Sequence, residues 1–378
     1  MSEVAYVPFF MRDVRAAMAE PRFTVGTSFS GAGGADLGYG LAGGRLVFAI
    51  ELDPEAVRTF RRNFGEASVE HCDFREVAAA PEIIDRILNQ GGRSRGELDI
   101  FHASPPCNEL SRLGSGPKEG GTAGLIFDVV NMTKIARPRV LVIENVPDLG
   151  GRYRQILDAA LRLLCFDKTG RRLFYANAMV LDASDYGVPQ RRRRLFVIAV
   201  RSDVANLVKV ASDTDVLPLF PAPTHAPIAT SAAFIGLQQT EDEKHPFREA
   251  MMTSNLGHLA RKLQHDPNRW ITPRKAGLGR YRFSTVRAAM QLPLPTLTAS
   301  GQQPDGRSGV LHPLEHRKLT IREMMRVSSF PDDYQFTGTV AQAATRIGMS
   351  VPPLMAKAIA DAVYAGVLRP YRDHLGMR

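Results

Sequence analysis

The sequence predicts a mainly parallel α/β fold joined to a smaller, irregular region. Between Arg22 and Val200, short apolar runs alternate with longer amphipathic stretches, the rhythm of a sheet covered by helices on both faces. After Val200 that rhythm stops. Pro218, Pro221, Pro223 and Pro227 crowd a linker-like stretch, and up to about Gly309 the residues are polar and rich in Arg, Lys and His. Apolar residues at helical spacing return over Thr320–Val327 and Leu354–Val367. These changes of character divide the chain into 20–201, 202–319 and 320–378.

The first strand, Phe23–Phe29, runs into Phe29-Ser30-Gly31-Ala32-Gly33-Gly34. Glycines at a strand-to-helix turn let a nucleotide-like ligand approach the backbone. The second strand, Leu46–Ile50, ends at Glu51, 20 residues beyond Gly31, where a carboxylate would grip ribose hydroxyls. Asp36 stands where the third glycine of a dinucleotide fingerprint belongs, which favours another adenosine-containing cofactor over NAD. A helix over Pro54–Phe64 follows. The short segment His71–Phe74 holds Asp73, either an acceptor for an adenine amino group or a helix N-cap.

A helix over Pro81–Leu88 leads to the strand Leu98–Ala103 and then to Ser104-Pro105-Pro106-Cys107. Two prolines set the chain direction and put a thiol at the carboxyl end of a strand, where α/β sites lie. Cys107 is a nucleophile there if a nearby positive charge lowers its pKa, or else an inert buried thiol. The polar, glycine-rich Asn108–Gly124 reads as a loop able to close over substrate. The strand Val140–Glu144 ends in Glu144-Asn145-Val146-Pro147, a carboxylate at the same sheet edge that can pass a proton to a ring nitrogen. After a helix over Tyr153–Leu164 and a strand over Ala176–Leu181, Gln190-Arg191-Arg192-Arg193-Arg194 enters the strand Leu195–Val200. Alternation puts Arg192 and Arg194 on one face. His71 and His102 read as ordinary core or surface histidines.

Composition narrows the classes. A 44% hydrophobic, 23% charged chain is ordinary globular protein and excludes wholesale disorder. Cys72, Cys107 and Cys165 stand far apart with no C-x-x-C pair, which excludes a cysteine zinc site and a secreted disulfide framework. The net charge of +9 favours a polyanionic partner. No apolar run approaches the ~18–20 residues of a membrane span, and Val4–Met11, interrupted by Pro8, is a poor signal peptide. The expected compartment is the cytoplasm.

Taken in order, these residues resemble the C5-cytosine DNA methyltransferase family, over Phe29–Val200 and again over about Pro295–Ala360. Arg322-Glu323 with Phe330-Pro331, and Ile347-Gly348 through Val351-Pro352-Pro353, match further family motifs. The resemblance implies a Rossmann-like, S-adenosylmethionine-dependent methyltransferase fold. In it, 20–201 is the first part of the catalytic domain, 202–319 the target-recognition domain and 320–378 a helical return. It implies a cofactor site of Phe29, Gly31, Gly33, Gly34, Glu51, Leu52, Asp73, Pro106, Leu125, Met349 and Ser350, with S-adenosylhomocysteine as product and no metal. Cys107 would attack cytosine C6, Glu144 assist at N3, Arg194 hydrogen-bond O2 and Arg192 support the site loop. Ser111, Gln190 and Thr296 would meet duplex DNA carrying a flipped-out base.

A monomer in the bacterial cytoplasm or nucleoid is implied, acting in restriction-modification or epigenetic methylation, with a cognate restriction endonuclease as candidate partner. The sequence departs from the family at Asn108 (commonly Gln), Leu110 (commonly Phe) and Met349 (Asn, lining the methionine end of the cofactor). Met349 is expected to weaken or alter cofactor binding, which the affinity of a Met349→Asn variant measures. A tRNA-directed enzyme of the same chemistry and a catalytically silent DNA-binding protein are the alternatives. The roughly ninety residues of Ser202–Gln291 favour DNA over tRNA. A nicotinamide dehydrogenase rests on the glycine loop alone.

Overall fold

A computed structural model describes residues 5–65, 69–106, 109, 121–278, 285–299, 301–304, 306 and 308–376. The chain divides into two compact units. One comprises Val14–Leu181, Arg193–Ala222 and Ala356–Arg378; the other collects Met1–Asp13, Asp182–Arg192 and Pro223–Met355.

The first unit holds a seven-stranded sheet. Its strands are β1 (Phe23–Ser28), β2 (Gly44–Glu51), β3 (Glu70–His71), β4 (Ile100–Ala103), β5 (Val140–Asn145), β6 (Phe174–Asp182) and β7 (Arg193–Arg201). They lie in the order β3-β2-β1-β4-β5-β7-β6. The first five strands pair in parallel, whereas β7 runs antiparallel to β5 with Glu144 opposite Phe196. Burial on both faces explains why β5 opens on an apolar run, Val140–Ile143, and why β1 and β4 carry no Lys, Arg, Asp or Glu. Phe101, Leu141, Ile143, Val129, Leu157 and Val197 lie in the core. Gly26 makes one close approach possible: a Cβ there would lie 2.2 Å from the Phe48 ring. Chain order reverses between β1 and β4, which opens a crevice at the carboxyl ends of these strands.

The helix Pro54–Phe64 has its expected bounds because Asp53 caps it, accepting from Ala56 N at 2.7 Å, and Pro54 starts it. Two of the helices of this unit that escape the sequence pattern show why. Gly34–Leu41 contains three glycines, each costing about 1 kcal/mol of helix propensity, yet Leu37 and Tyr39 are fully buried and packing prevails. Leu125–Ala136 is apolar on most sides, so no period marks it. The chain end returns to the sheet unit. Ile359, Val363 and Val367 are buried, and Arg372 Nη2 donates to buried Asp99 at 3.1 Å.

The unit boundaries differ from the expected 201/202 and 319/320. Val204, Ala205, Val216 and Leu219 are buried in the sheet unit, so its chain runs on to Ala222 before the prolines release it. Asp182–Arg192 and 320–355 fall in the second unit. There Arg317 ion-pairs with Glu323 at 2.7 Å and Thr320 Oγ1 donates to Gln239 at 2.6 Å.

Nor is the second unit irregular throughout. It contains Glu241–Thr253, started by a capping box at Thr240, and Asn255–Lys262, capped by Ser254. It also holds a parallel pair, β8 (Thr285–Arg287) and β9 (Gly309–Leu311). Fully buried Arg287 donates to the carbonyls of Ala260, Leu263, His312 and Glu315, closing the end of the helix Asn255–Lys262.

Among the described residues, one helical run, Val340–His374, is long and apolar enough by length and composition to span a bilayer. More than half of its most apolar window is buried, as in a core helix.

Candidate active site

The turn after β1 is built from left-handed backbone. Gly31 and Gly33 have φ of +54° and +79°, and Phe29, with a side chain, has +56°. The Phe29 ring rests on Phe74 at 4.6 Å between centroids. At the end of β2, the Glu51 carboxylate accepts from Gly31 N (2.7 Å), Leu52 N (2.9 Å) and Asp53 N (2.8 Å). Burial pushes its pKa up and these backbone donors pull it down, the net shift being upward. Leu52 beside it exposes 57% of its surface, an apolar face turned to solvent. A Cβ on Gly31 would meet nothing within 4 Å. An acidic acceptor, an apolar shelf and open backbone together fit an adenosine group with ribose hydroxyls. Asp73 serves as the N-cap of Phe74–Ala79, accepting from Arg75 N at 2.9 Å.

Under this turn, Asp36 is fully buried. Its Oδ1 accepts from Thr27 Oγ1 at 2.6 Å, and Thr27 also meets Ser30 Oγ at 2.8 Å. Among the described residues, Asp36 Oδ2 and the buried Ser28 Oγ have no hydrogen-bond partner. Burial pushes the Asp36 pKa up to about 7, well above the usual carboxylate range. A carboxyl whose folded pKa exceeds its unfolded one holds its proton better in the native state. Its contribution to stability therefore falls as pH rises from about 4 to about 7. Asp36→Asn is expected to match wild type in thermal melting at pH 4 and to melt several degrees higher at pH 8. A melting difference that does not change with pH would show that Asp36 ionises freely.

At the next strand ends, Ser104-Pro105-Pro106 leaves β4. Ser104 N donates to Ser28 O at 3.3 Å, and Asn145 Nδ2 to Pro105 O at 3.1 Å. Glu144, the penultimate residue of β5, meets Arg194 Nε at 3.0 Å, both side chains largely buried. The antiparallel register brings these two together, since β7 enters where β5 ends. Pro106 is half-buried, and Leu125 is buried at the start of its helix. Cys107 and Ser111, with Asn108 and Leu110, lie outside the described residues.

The remaining predicted residues belong to the second unit. Arg192 is buried, with Nη1 donating to Leu297 O at 2.8 Å and Nη2 to Met349 O at 3.2 Å. Gln190 is also buried. Its Nε2 donates to Val327 O and Ser328 Oγ, and its Oε1 accepts from Leu297 N at 3.2 Å. An amide spent in this way argues against the expected DNA contact and for a role in holding the segment. Thr296 Oγ1 donates to Arg191 O at 2.7 Å. Met349 is 55% exposed at the end of the helix Val340–Met349, and Ser350 Oγ donates back to Arg346 O at 2.7 Å. Gly348 lets that helix press on the backbone of Thr298, where a Cβ would lie 2.7 Å from the carbonyl carbon. The sequence reading missed Asn145 and Asp36 as site-building residues. The only signals were their neighbours, Glu144 and the glycine turn.

A parallel sheet with a reversed seventh strand and acidic and glycine-rich strand ends is the fold of an S-adenosylmethionine-dependent methyltransferase. The family model of the C-5 cytosine-specific DNA methylases matches residues 23–365. The chain belongs to that family, and its enzyme class is DNA cytosine-C5 methyltransferase. It is 29% identical to the Type II methyltransferase M.Eco47II of Escherichia coli over 351 residues, covering 90% of this chain and 78% of the relative. It is 28% identical to the Type II methyltransferase M1.HphI of Haemophilus parahaemolyticus, covering 89% and 85%. Among solved structures, a prophage-encoded E. coli chain described as a DNA modification methyltransferase aligns with a TM-score of 0.66 and 22% identity, covering 92% of this chain and 99% of that one. S. pombe Dnmt2 methyltransferase aligns with a TM-score of 0.60 and 14% identity, covering 94% and 100%. At these identities the structures speak for the fold.

Proposed function

We propose that the chain methylates C5 of a flipped-out cytosine in duplex DNA as the modification enzyme of a restriction-modification system, with Cys107 as nucleophile. The observation that carries this is the Glu144–Arg194 pair at the β5–β7 edge, beside the Ser104–Pro106 turn that leads into Cys107. Cytosine C5 is too poor a nucleophile to be methylated directly. Addition of the Cys107 thiolate to C6 forms a C–S bond and drives electrons toward N3, where Glu144 supplies a proton. C5 of the adduct is then an enamine carbon. S-adenosylmethionine, when bound, supplies an electrophilic methyl group. Methyl transfer would leave S-adenosylhomocysteine; loss of the C5 proton to a base such as water, with return of the N3 proton to Glu144, restores the C5–C6 double bond and expels Cys107 as thiolate. Arg194 both steadies Glu144 and offers its remaining donors to the cytosine O2.

Glu51 would hold the ribose, Leu52 and Phe29 the adenine faces, and the Gly31–Gly34 turn the backbone side of the cofactor. Asp73, Pro106, Leu125, Met349 and Ser350 complete the proposed cofactor set, and Thr296 and Ser111 the DNA contacts. Exposed Arg261, Lys262, Arg274 and Lys275 of the second unit supply charge for phosphates, offsetting the few kcal/mol of base unstacking.

Labelled S-adenosylmethionine and mixed-sequence duplex DNA test the reading, with tRNA alongside. Label is expected in DNA as 5-methylcytosine with wild type and not with Cys107→Ala. Transfer to tRNA alone, or transfer that survives Cys107→Ala, would overturn it.

A further inference from the structure

We propose that His102 is a positioning residue for the nucleophile turn, tying it to the helix that starts at the glycine loop. The proposal rests on the reading of Cys107 as nucleophile. Two consecutive prolines deprive the turn of backbone donors at positions 105 and 106, so Ser104 N is its one amide donor. Side chains must supply the other anchors. Asn145 holds the Pro105 carbonyl at 3.1 Å, and His102 Nε2 lies 2.8 Å from Ser104 Oγ. The other ring nitrogen, Nδ1, lies 3.1 Å from Tyr39 Oη on the helix Gly34–Leu41.

His102 is 2% exposed, and burial lowers its pKa to about 3, so the ring is neutral at any working pH. A neutral imidazole has one N–H and one bare nitrogen, and each here faces a hydroxyl able to complement it. The ring therefore links the helix that follows the glycine turn to Ser104 of the turn that leads into Cys107.

Single-hydroxyl deletions read this without disturbing the core. Ser104→Ala is expected to lower the single-turnover rate of methyl transfer at least tenfold, with KM for S-adenosylmethionine within threefold. Tyr39→Phe should lower it less. His102→Gln, whose amide can still donate to Ser104, should retain more activity than His102→Leu. In parallel, the rate of Cys107 alkylation, read by peptide mass spectrometry, should change at least threefold in Ser104→Ala. Should His102→Leu fail to fold, Ser104→Ala decides. Rates and alkylation within twofold of wild type in Ser104→Ala would overturn the proposal. If wild type transfers no methyl group to DNA, the proposed function fails on that count, while alkylation still decides the positioning role.

Discussion

Glu144→Gln is expected to slow methyl transfer by roughly 10²–10⁴-fold, the usual range for loss of a general acid. Gln is isosteric and still accepts from Arg194 Nε, so the strand end keeps its shape. What it loses is the ability to deliver a proton to N3, and without that the thiolate adds to an unactivated ring. The same change leaves the largely buried Arg194 guanidinium without its counter-charge, a loss of a few kcal/mol. Thermal melting should fall alongside the rate, so transfer is measured well below the melting temperature. Duplex DNA containing 5-fluorocytosine gives a second readout: trapping through Cys107 should slow in parallel. A variant transferring methyl groups within tenfold of wild type would remove Glu144 from the chemistry.

Arg192→Met is expected to act on stability rather than on the chemical step. The guanidinium spans two backbone carbonyls, Leu297 O and Met349 O, which lie far apart in sequence, and methionine fills the space without donating to either. Two buried acceptors left unpaired cost about 2–5 kcal/mol. For a unit of this size that lowers the melting temperature by roughly 5–15 °C. Arg192→Lys, with one point donor in place of a fork, should recover only part of this. Unchanged melting in both variants would show that the two segments hold together without it. In the family resemblance Arg192 supports the site loop; in the structure it donates to the carbonyls of Leu297 and Met349.

How much of this was legible depended on whether a residue's partners were near in sequence. β1, β4 and β5 could be read because burial on both faces keeps Lys, Arg, Asp and Glu out of them until Glu144 near the end of β5. Pro54–Phe64 could be read because its cap and first residue are local. The helices Glu241–Thr253 and Asn255–Lys262 were hidden, the first by Pro246 within it and both by polar surroundings. The unit boundaries were invisible because they follow long-range bonds such as Gln190 to Val327 O. The same divide runs through the site. The glycine turn, Glu51, Glu144 and the arginine run announce themselves by residue type and order. Asp36 looked like a missing glycine and His102 like a filler, since each acquires meaning only from a hydroxyl that folding brings to it.

The interleaved chain path has a consequence for synthesis. The sheet unit is interrupted by Pro223–Met355 and completed only by Ala356–Arg378, whose Ile359, Val363 and Val367 cover core surface and whose Arg372 reaches Asp99. A ribosome adding 5–20 residues per second takes on the order of ten seconds to traverse that interruption. Throughout this interval the nascent sheet lacks its last helices and leaves apolar surface open to aggregation. High contact order of this kind makes late folding slow, and chaperone occupancy during translation, more than the stability of the finished enzyme, should then limit how much active protein a cell obtains.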